Sequence, residues 1–167
     1  MIKIDDNEYQ EIVSDIMNNK QFNQMYDIVH HGISRMEHSI KISYYSYKIA
    51  KKLNWDYVTI ARGGLLHDFF LDGNERTKLK KFTDTFIHPK KALQTAKNNF
   101  DISIIEENII ISHMFPLYLA LPKYKESILV HLVDKVIGGY EMLCEYRYKC
   151  KYQFNYLYLL LLIFMNS

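Results

Sequence analysis

The run Leu65-Leu66-His67-Asp68-Phe69-Phe70 sets an imidazole beside a carboxylate in an otherwise apolar stretch. Buried together, two ionisable neighbours lose hydration unless a partner or a metal ion compensates them. Any fold of this chain must therefore bring further ligating or charged groups to this point. The sequence supplies a histidine before the pair (His38), two after it (His88 and His113) and a late aspartate (Asp134). That order, H…HD…H…H…D, decides which segments have to meet.

Hydrophobic spacing predicts that these segments are helices. Asp5 or Asp6 can cap a first helix that carries Tyr9, Ile12, Val13, Ile16 and Met17 on one face. A second helix is expected over Phe22 to His31, closed by Gly32, with His30 and His31 at its negative end. From Ser34 to Leu53 runs a longer pattern in which His38 heads a face with Ile42, Tyr45 and Ile49. Lys41, Lys48, Lys51 and Lys52 take its outside. Asp56 can cap the next helix, Tyr57 to Leu71, which includes His67 and Asp68. Its Gly63-Gly64 pair costs roughly 1 kcal/mol per glycine relative to alanine, which points to close approach of a neighbouring helix.

A polar, lysine-rich loop is expected from Asp72 to about Phe86. Pro89 suits the first position of a helix reaching Asn99, so His88 falls at a helix N-terminus. Ser103 and Glu106 form a capping box, and Ile105 and Ile109 lead by steps of four to His113. Phe115-Pro116 ends that helix. The last strong pattern spans about Glu126 to Leu143, with Val130, Asp134 and Ile137 on one side. Few windows alternate at period two. The expected class is all-α, a single-domain bundle of six to eight helices.

At 167 residues one domain is expected over the whole chain. Its ligand-bearing core covers about 34–143, with N-terminal helices over 1–33 and an apolar C-terminal helix over 152–167. A formal charge of +2 gives no reason to expect a nucleic-acid polymer as partner. Lys78, Lys80 and Lys81 read as a solvated loop. Cys144 and Cys150 show no metal or redox spacing and read as reduced thiols of a cytoplasmic protein. Met1 to Gln10 has no apolar run of the kind a leader carries. Tyr156 to Met165 is apolar all round but falls short of the roughly 20 residues of a membrane span. Contact with a second subunit would cover it, and a two-fold homodimer is the expected assembly.

A shared cation satisfies the histidines and both aspartates at once. Imidazole and carboxylate without thiolate suit iron, manganese, zinc, cobalt or nickel. His38, His67, Asp68 and Asp134 suffice for one ion, and His88 and His113 can then hold a second with Asp68 bridging. Two ions roughly 3.5–4 Å apart are a known device for hydrolysis at phosphorus. Arg35, three residues before His38, and Lys135, directly after Asp134, are candidates for binding outer phosphoryl oxygens. No G-x-S-x-G or phosphate-loop motif occurs, and the glycine pairs 63–64 and 138–139 read as packing devices.

The pattern His38…His67-Asp68…Asp134 resembles the HD-domain superfamily of metal-dependent phosphohydrolases over about Ser34 to Leu143. The resemblance implies a helical bundle with those four residues on a first metal. It further implies that His88 and His113 match the extra histidines of binuclear members. The activity it implies is hydrolysis of a small phosphorylated metabolite or nucleotide by a metal-bound hydroxide, with Asp68 as the catalytic carboxylate. Where many active subfamilies carry Lys or Glu, three residues after the aspartate, this chain has Leu71, followed by Asp72. The Gly-Tyr-Pro signature of cyclic-dinucleotide phosphodiesterases is absent, and the guanosine-tetraphosphate hydrolase signature is incomplete. Two other readings stay open: a non-hydrolytic metal-binding regulatory module, and an oxygen-activating di-iron enzyme on the same fold.

Overall fold

Polar caps start the helices where the sequence places them. The Asp6 carboxylate accepts from the Tyr9 amide, Ser34 Oγ from Glu37, Asp56 from Thr59, and Ser103 from Glu106 in a complete capping box. Each satisfies an amide that the first turn leaves without an intrahelical partner. The computed structural model describes residues 4–30, 33–71 and 78–165, and the side chains of all of these except 29–30, 78–85 and 152–165. Within them lie eight α-helices: α1 (Asn7–Ile12), α2 (Ser14–Met17), α3 (Lys20–Asn23), α4 (Arg35–Lys52), α5 (Tyr57–Leu66), α6 (Lys78–Asn99), α7 (Ile104–Ser112) and α8 (Lys125–Met165). The expected all-α class holds.

Helix α5 lies at the centre and packs on α4, α7 and α8. Its contact with α4 is backbone against backbone. A Cβ on Gly64 would stand 3.0 Å from Ser43 Cα, so the two backbones nearly touch. Gly63 faces Ile109 of α7, where a Cβ would meet Cδ1 at 2.7 Å. The expected helix approach at this glycine pair is thus real. Gly64→Ala is predicted to cost about 1–3 kcal/mol through overpacking, read as a lower midpoint in chemical unfolding. Gly138 and Gly139 differ: among the described residues an added Cβ meets only His38 Cε1 at 3.9 Å in the first case and nothing within 4 Å in the second. They are not tight packing sites.

The buried seam of α4 departs from the expected one. Tyr45 and Ile49 are exposed, whereas Ser39, Ser43, Ser46, Tyr47 and Ala50 are buried along with Ile42. Small residues let α5 approach, and Ser43 Oγ remains satisfied, donating to the Ala61 carbonyl at 2.6 Å and accepting from Tyr9 Oη at 2.8 Å. Counting only apolar positions hides such a seam.

Three element boundaries also differ. Among the described residues no helix runs on from Phe22 to His30. After α3 the chain makes a 3₁₀ turn, Gln24–Asp27, and then two short antiparallel strands, β1 (Val29–His30) and β2 (Ile33–Ser34), pairing Val29 with Ser34. The β-branched run Ile28-Val29 favours extended backbone. His31 and Gly32 lie outside the described residues, as do Asp72 and the side chains of His30, Lys78, Lys80, Lys81 and Tyr156 to Met165. Helix α6 begins before Pro89 and carries it inside, so His88 is not at a helix N-terminus. Finally, α8 continues unbroken to Met165, so the C-terminal run is no separate helix.

Candidate metal centre

His38 sits in the first turn of α4, and Asp134 lies on the inward side of α8 beside Val130. Helix α5 ends at Leu66, with His67 as its C-cap, rather than at Leu71. The reason is the aromatic pair that follows. Phe69 packs against Phe22 and Phe100, whereas Phe70 stacks on His88 and under the Arg35 guanidinium. One helix face cannot serve both sets of partners, so the chain turns, and Asp68 is presented from that turn. His113 is the C-cap of α7 and His88 projects from mid-α6.

All six side chains meet. His38 Nε2 is 3.2 Å from Asp134 Oδ1, and His67 Nε2 is 3.8 Å from the same oxygen. Asp68 faces both ways: Oδ2 is 4.0 Å from His67 Nε2, while Oδ1 is 3.4 Å from His88 Nε2 and 3.5 Å from His113 Nε2. His88 and His113 approach at 2.9 Å between their Nε2 atoms. Two triads have donor atoms close enough for one ion each, His38/His67/Asp134 and His67/Asp68/His113.

The far ring nitrogens fix the tautomers. His67 Nδ1 lies 2.8 Å from the Gly64 carbonyl and His113 Nδ1 lies 2.7 Å from the Ile110 carbonyl. A carbonyl only accepts, so each Nδ1 carries the proton and each Nε2 presents a lone pair to the centre. His38 Nδ1 likewise donates to Glu141 Oε2 at 2.7 Å. This is the arrangement in which outer groups orient imidazoles for a metal. His67 Nε2 and Asp68 Oδ1 are buried without a hydrogen-bond partner, which a cation would remedy.

Charge follows the same plan. Burial lowers the His67 pKa to about 4, so the ring is neutral and able to ligate. Burial opposes charge on Asp68, but the three imidazoles of His67, His113 and His88 hold its pKa well below the carboxylate range. Asp134 is held low against burial by His38, His67, His113 and Lys135. Both carboxylates are ionised at neutral pH. The donor set fits a divalent transition-metal ion: imidazoles and charged carboxylates, no thiolate.

The model of the HD domain matches residues 35–139, well over half of the chain. The chain belongs to the HD-domain family. Comparison with curated proteins and with solved structures gives no match. HD domains bind divalent metals and are generally metal-dependent phosphohydrolases. The matched span begins at Arg35, the first residue of α4, and takes in every residue of the HD constellation.

The remaining residues expected at the HD site are placed as follows. Lys135 Nζ reaches Asp134 Oδ2 at 3.0 Å and Met114 Sδ at 3.5 Å from an exposed position at the rim. Arg35 is buried, donates to the Phe70 carbonyl at 2.7 Å and lies 3.8 Å above the Phe70 ring. Leu71 packs against the larger apolar cluster. Sequence reasoning missed Glu141, though its place seven residues after Asp134, two helical turns on, puts it on the same face. It also missed His131, whose Nδ1 donates to the His113 carbonyl at 2.8 Å.

Proposed function

We propose that the chain is a metal-dependent phosphoric ester hydrolase acting on a small phosphorylated metabolite or nucleotide. What carries this reading is the inward convergence of four imidazole Nε2 atoms and two ionised carboxylates from α4, α6, α7, α8 and the turn after α5. In this reading His38, His67, Asp68 and Asp134 hold a first divalent ion, and His88 and His113 hold a second with Asp68 between them. Support for the second ion comes from the two oxygens of Asp68, which face different imidazoles. When bound, iron, manganese, zinc, cobalt or nickel supplies Lewis acidity toward phosphoryl oxygens and lowers the pKa of water.

The chain's own groups do the rest. Asp68 is the catalytic carboxylate, kept ionised and held between the two sets of imidazoles. Lys135 turns its ammonium from Asp134 Oδ2 to an outer phosphoryl oxygen of the substrate. Arg35 braces the Phe70 ring that stacks on His88, 5.4 Å between ring centres, and so supports the binding wall from behind. The protein works in the cytoplasm, as a two-fold homodimer that covers the apolar run Tyr156 to Met165, whose side chains lie outside the described residues. No helix among the described residues is long and apolar enough to cross a membrane.

Turnover of a panel of phosphomonoesters, phosphodiesters and nucleotides by the metal-loaded protein, without oxygen, tests the reading. Hydrolysis of at least one is expected. In Lys135→Ala the KM for that substrate should rise about tenfold with kcat little changed, the loss of one charge-assisted hydrogen bond. An unaltered KM removes Lys135 from the site. A second reading, a metal-binding module without hydrolytic activity, draws on Leu71, which leaves no proton-transfer group three residues after Asp68. A panel in which every ester survives would favour it. Turnover only with oxygen would favour the oxidative di-iron reading.

A further inference from the structure

Glu141 is a carboxylate with almost no solvent, 5% exposed, on a helix whose neighbouring residues Tyr140, Met142 and Leu143 face outward. A buried carboxylate is retained only where its partners compensate the lost hydration. It has two. Oε2 lies 2.7 Å from His38 Nδ1 and Oε1 lies 2.9 Å from Lys41 Nζ. Lys41 stands one turn after Glu37 on α4, at 3.8 Å from its carboxylate. A chain of alternating charges thus runs from the surface of α4 to the back of one metal-facing imidazole.

His67 and His113 give their Nδ1 protons to neutral backbone carbonyls, of Gly64 and Ile110. His38 gives its proton to a full negative charge. A carboxylate behind an imidazole makes its far nitrogen a stronger donor and fixes the ring's aim. Glu141 is also on the same helix as Asp134, whose Oδ1 is 3.2 Å from His38 Nε2. One rigid element therefore grips His38 from both edges, with a ligating carboxylate in front and a bracing one behind.

We propose that Glu141 is a positioning residue that sets the metal affinity of the centre through His38, and that Lys41 moderates it by neutralising part of its charge. The inference rests on the metal-centre reading above. It predicts opposite effects for two changes on one hydrogen-bonded chain. Glu141→Gln keeps the shape and removes the charge, so His38 becomes a weaker ligand. Lys41→Met keeps the carboxylate and removes the cation that competes for it, so His38 becomes a stronger one and a positive charge leaves the neighbourhood of the ion.

The test is a titration of the full-length, metal-stripped chain with Co²⁺ against a chromophoric chelator, with the visible Co²⁺ spectrum recorded. Glu141→Gln should bind 10–100-fold more weakly than the unaltered chain and show a shifted ligand-field band. Its metal-free unfolding midpoint should fall, because buried His38 and Lys41 lose a charged partner, so binding is read on protein shown by circular dichroism to be folded. Lys41→Met should bind more tightly. Wild-type affinity and spectrum in Glu141→Gln would overturn the proposal. So would weaker binding in both variants, which marks a merely structural role. If Glu141→Gln does not fold, Lys41→Met decides by the sign of its effect. An unaltered chain that binds no Co²⁺ would refute the metal-centre reading and the proposal with it, whereas Co²⁺ binding unaffected by Glu141 refutes the proposal alone.

Discussion

An Asp68→Ala chain is expected to lose most of its bound metal and all but a residue of its turnover. Among the described residues Asp68 is the one side chain whose two oxygens address both groups of imidazoles, His67 through Oδ2 and His88 with His113 through Oδ1. Without it, in the proposed two-ion reading, the second ion would keep only His88 and His113 and no carboxylate, and the first would lose one of its two carboxylates. Elemental analysis of protein prepared without chelators should give one to two transition-metal ions per unaltered chain, and a fraction of that for the variant. Activity should fall by about a thousandfold or more, since metal Lewis acidity supplies several kcal/mol and each 1.36 kcal/mol is roughly a factor of ten. Full metal content in the variant would sink the assignment of Asp68.

Stripping the metal should lower the melting temperature by about 8–16 °C. An ion present at a thousand times its dissociation constant stabilises the fold by about 4 kcal/mol. For a domain of this size each kcal/mol is worth about 2–4 °C. The effect should depend on pH with a sign that the site dictates. In the metal-free protein burial opposes charge on His38, but Asp134 and Glu141 raise its pKa to about 10. An unfolded histidine titrates near 6.5, at about pH 6.5. The His38 contribution to the metal-free fold is thus complete below about pH 6.5 and is lost as pH rises through about 10. His67 acts in the opposite sense: with a folded pKa of about 4 its burial costs stability as pH falls below about 6.5.

Metal must displace the His38 proton to reach Nε2. Loading at pH 7 should therefore release about one proton per chain, measured calorimetrically in buffers of different ionisation enthalpy. The melting shift should grow from pH 7 to pH 9 at fixed free metal. Loading without proton release would mean that His38 is not a ligand.

Much of this centre was legible in the sequence because ligands leave two kinds of trace. Asp68 and Asp134 are carboxylates amid apolar residues, and His38, His67 and His113 each stand on an inward helical step. The caps at Asp6, Asp56 and Ser103 were equally local and therefore readable. What escaped depended on contacts between distant segments. Pro89 carries a strong signal for a helix start, but packing of α6 on α7 keeps the helix going through it. The serine seam of α4 is polar by composition and buried only because Gly64 lets α5 come close. The turn at His67-Asp68 follows from where Phe22, Phe100 and Arg35 lie, which no window around residue 68 contains.

The separation between the site's members has a consequence in time. Asp134 follows its partner His38 by 96 residues, and Glu141 follows it by 103. A ribosome adds about 5–20 residues per second, so about 5–20 s pass between the first of these side chains and the last. Through that interval His38 lacks both carboxylates, and the Asp68 turn lacks the helix that closes the site. No early intermediate can use the His38/His67/Asp134 triad as its nucleus, because nearly all of the matched span must be made before Asp134 exists. Loading of that triad therefore follows the synthesis of α8, and a cell short of the metal until then forfeits nothing there that it cannot supply afterwards.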